Sequence, residues 1–580
     1  MLMAWLRVDQ FSGLWLGAAT ISLMWLGLAC SAPVDLPPVV TELPAGFELG
    51  QERSCELPTT GFARLTENHV GRGVSLDLPQ PLPHQCSPFP PGLVAEDLDG
   101  DGDVDLAFPQ PTVFPLLFRN HGDGQFEATK PGPPLDVPGE RIVMSLAAVD
   151  TSGDGLPELY MAGPNFLYRS QNLGSLSFSA PEPVFDRPEY PWSCFNSMAW
   201  GDADGDGDLD VFLPGLLGVP DADWWELDQD GPWVYGADDL MLLQDADGFV
   251  PYEVPAPAST ASLAYLSVFT DRDGDSRSDL LITSDRSNLP WWPEGVFLSN
   301  QGNDQLGRPI FGLPAVGPNM PGNVSGMGLV TDDFGGDGFL DYCMSDFART
   351  LACFESDGQG GYIDISLTTG LSPSLPGFPL PDDDGADWVP WSITLTDLDN
   401  DGLRDFATVA GPTPGFGSVA TSVQVHEQPN AIWQGLAPGR FVERTEQLSF
   451  GDPNPDYGLV AADLSGDGYP ELIVSPWSGT PKLYDNPCGA QAWLEVELVG
   501  PAGNSQGIGA RLDARAGDWR HTEELHAVLG PAQAPSRFHL GLGDRDLLDQ
   551  LVITWPDGQQ MSATSIATRR LLRVVHPDAR

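Results

Sequence analysis

The residues of this chain best suited to chemistry are carboxylates at alternate positions. Asp97, Asp99 and Asp101 are followed by Gly102, and Asp105 returns one more carboxylate shortly afterwards. A tightly turning backbone aims such alternate side chains at one centre, and Gly102 permits the sharp bend. The main-chain carbonyl of Asp103 adds a further oxygen. Oxygen donors in that number suit Ca²⁺, which accepts irregular six-to-eight coordination, better than Mg²⁺ with its strict octahedron and retained waters. No Cys or His falls in the pattern, so zinc and softer metals lack their usual donors.

The pattern recurs six more times. Asp202, Asp204, Asp206 and Asp210 form a full set, as do Asp271, Asp273, Asp275 and Asp279, and Asp397, Asp399, Asp401 and Asp405. Ser152 stands between Asp150 and Asp154 with Glu158 closing, and Ser465 between Asp463 and Asp467 with Glu471 closing. The loop of Asp333, Asp337 and Asp341 is poorest, because Gly335 offers no side chain. Carbonyl donors equivalent to that of Asp103 are expected from Leu156, Asp208, Arg277, Phe339, Leu403 and Tyr469. About seven Ca²⁺ sites are thus expected, the Asp333 site weakest. An EF-hand opens with the same letters but closes with a bidentate Glu at its twelfth position; here that position is Phe108. One copy alone would read as a solvated Asx turn, whereas seven copies point to a repeated unit.

The elements that must hold these loops follow from the repeat. The loops start 52 to 69 residues apart, the spacing of one supersecondary unit copied seven times. Short apolar runs precede them at 145–149, 265–269 and 457–462, and others follow at 106–108, 209–213, 280–282 and 472–474. Third runs at 117–120, 167–172, 296–300 and 483–486 end in Asn, and a Gly-rich turn with Phe126 leads to a fourth. Four short antiparallel strands per unit predict a blade, and the whole an all-β, seven-bladed β-propeller. Residues 62–67 resemble the fourth strand at 441–446 yet precede the first loop, while the seventh unit stops after Tyr484. The N-terminal strand is therefore expected to complete the last blade. The longest interval carries Trp224 and Trp225, and Trp291–Trp292 and Trp388 with Trp391 form further pairs; loop packing is favoured over sugar or peptide stacking for all of them.

With 82 acidic against 27 basic residues the formal charge is −55. That surface repels phosphate backbones, so a nucleic acid partner is excluded, and seven divalent ions would offset part of the self-repulsion. Residues 1–30 combine Arg7 with an apolar stretch at 11–29 and read as an export signal. Gly27 and Ala29 suit a signal peptidase, Cys30 is a candidate for lipidation, and retention as an anchor stays open; all three place the remainder outside the cytoplasm. Membrane contact is expected only through such a lipid or anchor. Residues 31–58 are Pro-rich and read as a tether, with the propeller at 59–488. Of the other six cysteines, Cys343 and Cys353 are expected to pair across a strand turn and Cys55 with Cys86, leaving Cys194 with Cys488 by elimination.

From Trp493 the pattern changes. Residues 493–499 alternate as a strand does, 511–515 is a candidate partner, and 538–540, 551–555 and 571–575 add strands, giving a small β-rich domain at 489–578. His521, His526 and His539 lie in it without an HExxH spacing and read as ordinary surface or core residues; there is no GxSxG, P-loop or CxxCH either.

The loops resemble the FG-GAP or VCBS repeats of integrin α-subunit propellers and many bacterial surface proteins. Gly507-Ile-Gly-Ala-Arg511, Phe538-His-Leu-Gly-Leu-Gly543 and Val552-Ile-Thr-Trp-Pro-Asp-Gly558 resemble the ASPIC/UnbV domain, which follows such a propeller in cartilage acidic protein and bacterial relatives. The resemblance covers nearly all of 62–577 and implies an extracellular calcium-binding propeller, secreted or on the outer surface of a bacterial envelope, with adhesion or recognition of a protein or glycan. It brings no catalytic assignment. An extracellular polysaccharide-processing or redox enzyme and a non-catalytic scaffold of a surface complex remain the alternatives.

Overall fold

Each acidic loop interrupts an apolar run, and the run forms a strand on either side of it. Val94–Glu96 and Asp105–Phe108 flank the first loop, and Leu116–Asn120 and Phe126–Ala128 complete an antiparallel four-stranded sheet. In this computed structural model the same order recurs in sheets that begin at Ser145–Val149, Ala199–Gly201, Ala264–Thr270, Gly326–Asp332, Pro390–Thr396 and Asp456–Ala462. Numbered 1 to 7 along the chain, they constitute a propeller-like, almost wholly β fold. Residues 43–579 are described apart from 56–64, 71–75, 77–91, 217–238, 255–263, 285–294, 316–323, 372–387, 412–427 and several shorter stretches. Residues 1–30 with Cys30, and Cys86, Trp224, Trp225, Trp291 and Trp292, lie outside the described residues.

The first strands are buried on both faces, as Ser145–Val149 and Ala264–Thr270 show, because each sheet packs between two others. Apolar side chains of sheet 1 meet sheet 2 through Val94, Ala107, Leu146 and Phe166. Sheet 6 meets sheet 7 through Ile432, Leu459 and Tyr484, and sheet 7 returns to sheet 1 through Val460, Ile473, Leu106 and Phe118. Fully burying one such side chain contributes about 1.5–3 kcal/mol. The N-terminal strand Thr66–His69 pairs antiparallel with Lys482–Asp485 and gives sheet 7 its fourth strand. Around the axis, Tyr265, Trp391 and Tyr457 pack with Met144, Met327 and Leu329. Trp388 and Trp391 are buried, their indole N–H groups donating to the carbonyls of Pro429 and Gly411, so this pair serves packing.

The asparagines at the third strands join one sheet to the next. The buried Asn120, Asn172, Asn300 and Asn486 donate Nδ2 to the carbonyls of Leu464, Leu98, Ala203 and Leu398, at 2.8, 2.9, 2.8 and 2.7 Å. Each acceptor is the second residue of the preceding sheet's acidic loop. Asn172, Asn300 and Asn486 also reach the eighth residue of their own loop, at Pro157, Ser278 and Pro470. Gln244 reaches from sheet 3 to Thr151 in the same way.

The C-terminal strands form two more four-stranded sheets around their own core. Ala492–Val499 does not pair with Arg511–Ala516, as the alternation at 493–499 suggested. It lies between Arg537–Gly543 and Arg570–Val575, while Arg511–Ala516 pairs with Trp519–Glu524 and Leu547–Thr554. The glycine-rich residues between them make a 3-10 turn at Ala502–Asn504 that carries the chain to the second sheet. The tether expectation for 31–58 also needs correction. Phe47–Leu49 is a strand, paired antiparallel with Arg570–Val575, and Phe47 is part of the C-terminal core. Cys55 therefore sits beside the junction of propeller and C-terminal domain and bonds Cys488, not Cys86, and Cys194 is disulfide-bonded to another partner. Cys343 and Cys353 pair across adjacent strands of sheet 5 as expected.

Replacing Asn172 with Ala strips the Leu98 and Pro157 carbonyls of their donor. It is expected to cost about 1–3 kcal/mol, the usual penalty for unsatisfied buried polar groups, read as a lower urea midpoint. An unaltered midpoint would show that water substitutes for the amide.

Candidate metal loops and the face they share

All seven loops fold on one hydrogen-bond template. The first carboxylate accepts the N–H of the sixth residue: Asp97 from Gly102, Asp150 from Gly155, Asp202 from Gly207, Asp271 from Ser276, Asp333 from Gly338, Asp397 from Gly402 and Asp463 from Gly468. The fifth carboxylate accepts the N–H of the seventh residue: Asp101 from Asp103, Asp154 from Leu156, Asp206 from Asp208, Asp275 from Arg277, Asp337 from Phe339, Asp401 from Leu403 and Asp467 from Tyr469. The ninth residue is buried in every copy, as Asp105, Glu158, Asp210, Asp279, Asp341, Asp405 and Glu471. In five loops it accepts the N–H of the second residue, and in the five loops that close with Asp one of its oxygens takes a main-chain N–H of the third strand, from Asn120 to Asp105 at 2.9 Å for example. The sixth residue has positive φ, 95° at Gly102, and at Ser276 a non-glycine adopts 63°.

The template leaves oxygens without partners. Asp99, Asp204 and Asp399 each bury one third-position carboxylate oxygen that no hydrogen bond reaches. Ligand atoms of Asp97, Asp99 and Asp101 lie within 4.8 Å of one another, as do those of Asp150, Asp154 and Glu158, of Asp202, Asp204 and Asp206, and of Asp271, Asp273 and Asp275. Burial pushes Asp105 and Asp341 up to about 8, Asp204 and Asp399 to about 7 and Asp202 to about 6, and carboxylates of the same loop add to it. A cation among them would supply the missing partner and hold them ionised. The donor set thus fits a metal ion held by oxygen.

Two loops depart from this. At Asp333, Gly335 supplies no third side chain and its N–H goes to Asp341 at 3.0 Å. At Asp271 the letters are complete, but the buried Arg272 places Nε 3.6 Å from Asp279 and Nη2 3.9 Å from Asp273, and Arg277 pairs with Asp275. Guanidinium groups already offset part of the charge of this loop, which the spacing of its aspartates ranks with the full sets. Arg119 contacts Asp99 at 2.6 Å but leaves the other oxygen unpaired. Asp332, His521 and Glu523 also bring ligand atoms together. There Arg404 fills the centre, with Nε 2.8 Å from Asp332 and Nη2 2.6 Å from Glu523 and 2.5 Å from His521. His539 meets Asn400 and His526 meets Thr331, each at 2.8 Å, and burial lowers both imidazoles. The histidines are interface groups.

The C-terminal domain lies on the loop face, a placement the loops' sequences did not signal. Arg537 donates to the carbonyl of Gly102, Arg511 to Gly338 and Trp519 Nε1 to Gly402, at 2.8, 2.9 and 2.9 Å. Ser505 and Gln506 hold Asp150, Glu524 accepts the Asp271 N–H, and the Thr522 carbonyl accepts that of Asp333. Gly503 rests on Gly207 with no room for a Cβ, and the Trp493 ring lies against Gly468. Gln533 enters the ring, exchanging hydrogen bonds with Ala148 through its side chain and with Leu93 and Ala95 through its backbone. Leu529 packs on the axial cluster.

Because Arg272 supplies positive charge to the Asp271 loop, Arg272→Met is expected to destabilise the protein more in chelator than in millimolar divalent cation. Equal losses in both conditions would show that Arg272 acts through packing alone.

Comparison with known proteins places names on these parts. An FG-GAP-like repeat model matches residues 97–161 and 153–213, and an ASPIC and UnbV model matches 500–580. No curated protein matches significantly. Among solved structures, an Agrocybe aegerita lectin that recognises non-reducing terminal N-acetylglucosamine is 15% identical, covering 66% of this chain and 88% of its own, with a TM-score of 0.40. BBS1N in complex with ARL6DN is 9% identical, covering 69% and 94%, with a TM-score of 0.39. The Photorhabdus luminescens Tc holotoxin pore is 16% identical, covering 80% and 21%, with a TM-score of 0.30. The chain carries FG-GAP-like repeats followed by a C-terminal ASPIC and UnbV domain.

Proposed function

We propose that this is an extracellular, calcium-binding, non-catalytic propeller protein that recognises a protein or glycan. The observation that carries the calcium reading is the set of buried, unpartnered third-position oxygens at Asp99, Asp204 and Asp399. Each sits where a cation bound by the first, fifth and ninth residues and the seventh carbonyl would need one more ligand. A set built only of oxygens and drawn from a flexible loop favours Ca²⁺ over Mg²⁺. Disulfides and FG-GAP-like repeats are typical of extracellular proteins, and no helix among the described residues is long and apolar enough to cross a membrane. We assign the signal-like residues 1–30 to export, with Cys30 as the lipidation site of an outer-surface form.

Recognition falls to the end of the propeller away from the loops, since the C-terminal domain covers the loop face. Leu213 ends one strand of sheet 3 and Leu240, its partner, begins the next at that end, and the sequence between them carries the insertion with Trp224 and Trp225. Deleting residues 221–230 is expected to abolish capture of a partner from the cell-envelope fraction while leaving the thermal melt unchanged; undiminished capture would exclude this insertion.

Removing calcium with EDTA is expected to lower the melting temperature by many degrees, because each site filled at a hundredfold excess over its Kd contributes about 2.7 kcal/mol. An unchanged melt would refute structural calcium. Asp206→Ala is expected to lose one ion by native mass spectrometry and to destabilise more than Gly335→Ala; equal effects would overturn the ranking of the two loops.

A further inference from the structure

We infer that cation binding in the loops and docking of the C-terminal domain are one coupled equilibrium, so that the ions clamp the two domains together. This rests on the calcium reading above and extends it from the loops to the domain interface. The connection is a single peptide segment repeated in three loops. Gly102 donates its N–H to Asp97 at 2.9 Å and offers its carbonyl to Arg537 at 2.8 Å. Gly338 donates to Asp333 at 2.8 Å and accepts from Arg511 at 2.9 Å. Gly402 donates to Asp397 at 2.7 Å and accepts from the Trp519 indole at 2.9 Å. In each, one glycine is fixed on its amide side by the first carboxylate of a candidate cation site and on its carbonyl side by the C-terminal domain.

Three of the remaining loops are held at other atoms, and the Asp333 loop is held at a second one. The Asp150 carboxylate accepts from Ser505 Oγ at 2.5 Å while its own N–H donates to Gln506. Asp271 and Asp333 donate their N–H groups to Glu524 and to the Thr522 carbonyl. Gly466 accepts from Arg53 at 2.8 Å, in the segment that Cys55–Cys488 ties to the domain junction. Without a cation the crowded carboxylates repel one another, the first carboxylate shifts, and the carbonyl it positions is withdrawn from its C-terminal donor. Linkage is reciprocal: whatever the ion adds to docking, docking adds to ion affinity. The segment that would report undocking is the one around Leu529 and Gln533, since its protection depends on the propeller axis.

The test is hydrogen exchange by mass spectrometry on the full chain with calcium and with EDTA, alongside native mass spectrometry to count bound ions. The expected result is several ions bound, with exchange at residues 527–534 accelerated at least tenfold on their removal while the strand Leu548 to Ile553 keeps its protection. Ions bound and removed with exchange at 527–534 unchanged would overturn the coupling and leave the calcium reading intact. No bound ions would overturn both. In the reverse direction, Trp519→Phe removes the donor to Gly402 while keeping an aromatic ring at the position; it is expected to weaken the affinity of one site several-fold although no cation ligand changes. Unaltered affinity in Trp519→Phe and in Arg537→Gln would also overturn the coupling.

Discussion

The crowding of carboxylates inside seven short turns is the constraint on which the rest of this protein depends. In the first of these turns the first, third, fifth and ninth side chains converge and are satisfied with backbone amides as far as geometry permits, and only the Asp333 turn lacks a third side chain. What the amides cannot satisfy marks the candidate metal loops. What they do satisfy fixes the loop so firmly that its outer carbonyls become reliable acceptors. Sheet-to-sheet asparagines use the second and eighth carbonyls, and the C-terminal domain uses the sixth. The loops are therefore the joints of the molecule, where ring and cap meet.

Much of this was legible in the chain because it is local. Alternate aspartates, a glycine at the bend and apolar runs on either side are properties of about fifteen consecutive residues, and they marked both the loops and the strands flanking them. The strand at Thr66–His69 was legible for a different reason, since it had no unit of its own while the last unit lacked a fourth strand. The asparagines stood out as recurrent strand ends, although only the structure shows that they reach across to another sheet.

What the chain concealed is mostly long-range and main-chain. Gly102, Gly338 and Gly402 accept through carbonyls that every residue has, so nothing in their letters announces a domain resting on them. Arg272 is visible between two aspartates, yet its direction decides whether the Asp271 loop wants an ion, and direction is not written in spacing. The expected pairing of Cys55 with Cys86 fails for a similar reason, although that of Cys343 with Cys353 holds. The strand at Phe47–Leu49 carries the chain to the C-terminal domain, where Cys55 meets Cys488.

That early strand gives the molecule a defined path for mechanical load. A pull applied through the residues before Leu43 first meets three paired residues, Phe47 with Val574, Glu48 with Arg573 and Leu49 with Leu572. If they part, tension arrives at Cys55 and crosses the covalent bond to Cys488, bypassing the stretch that leads to Thr66. The strand that closes the ring, Thr66–His69, is shielded from the tension instead of being peeled from Lys482–Asp485. The domain junction takes the strain first.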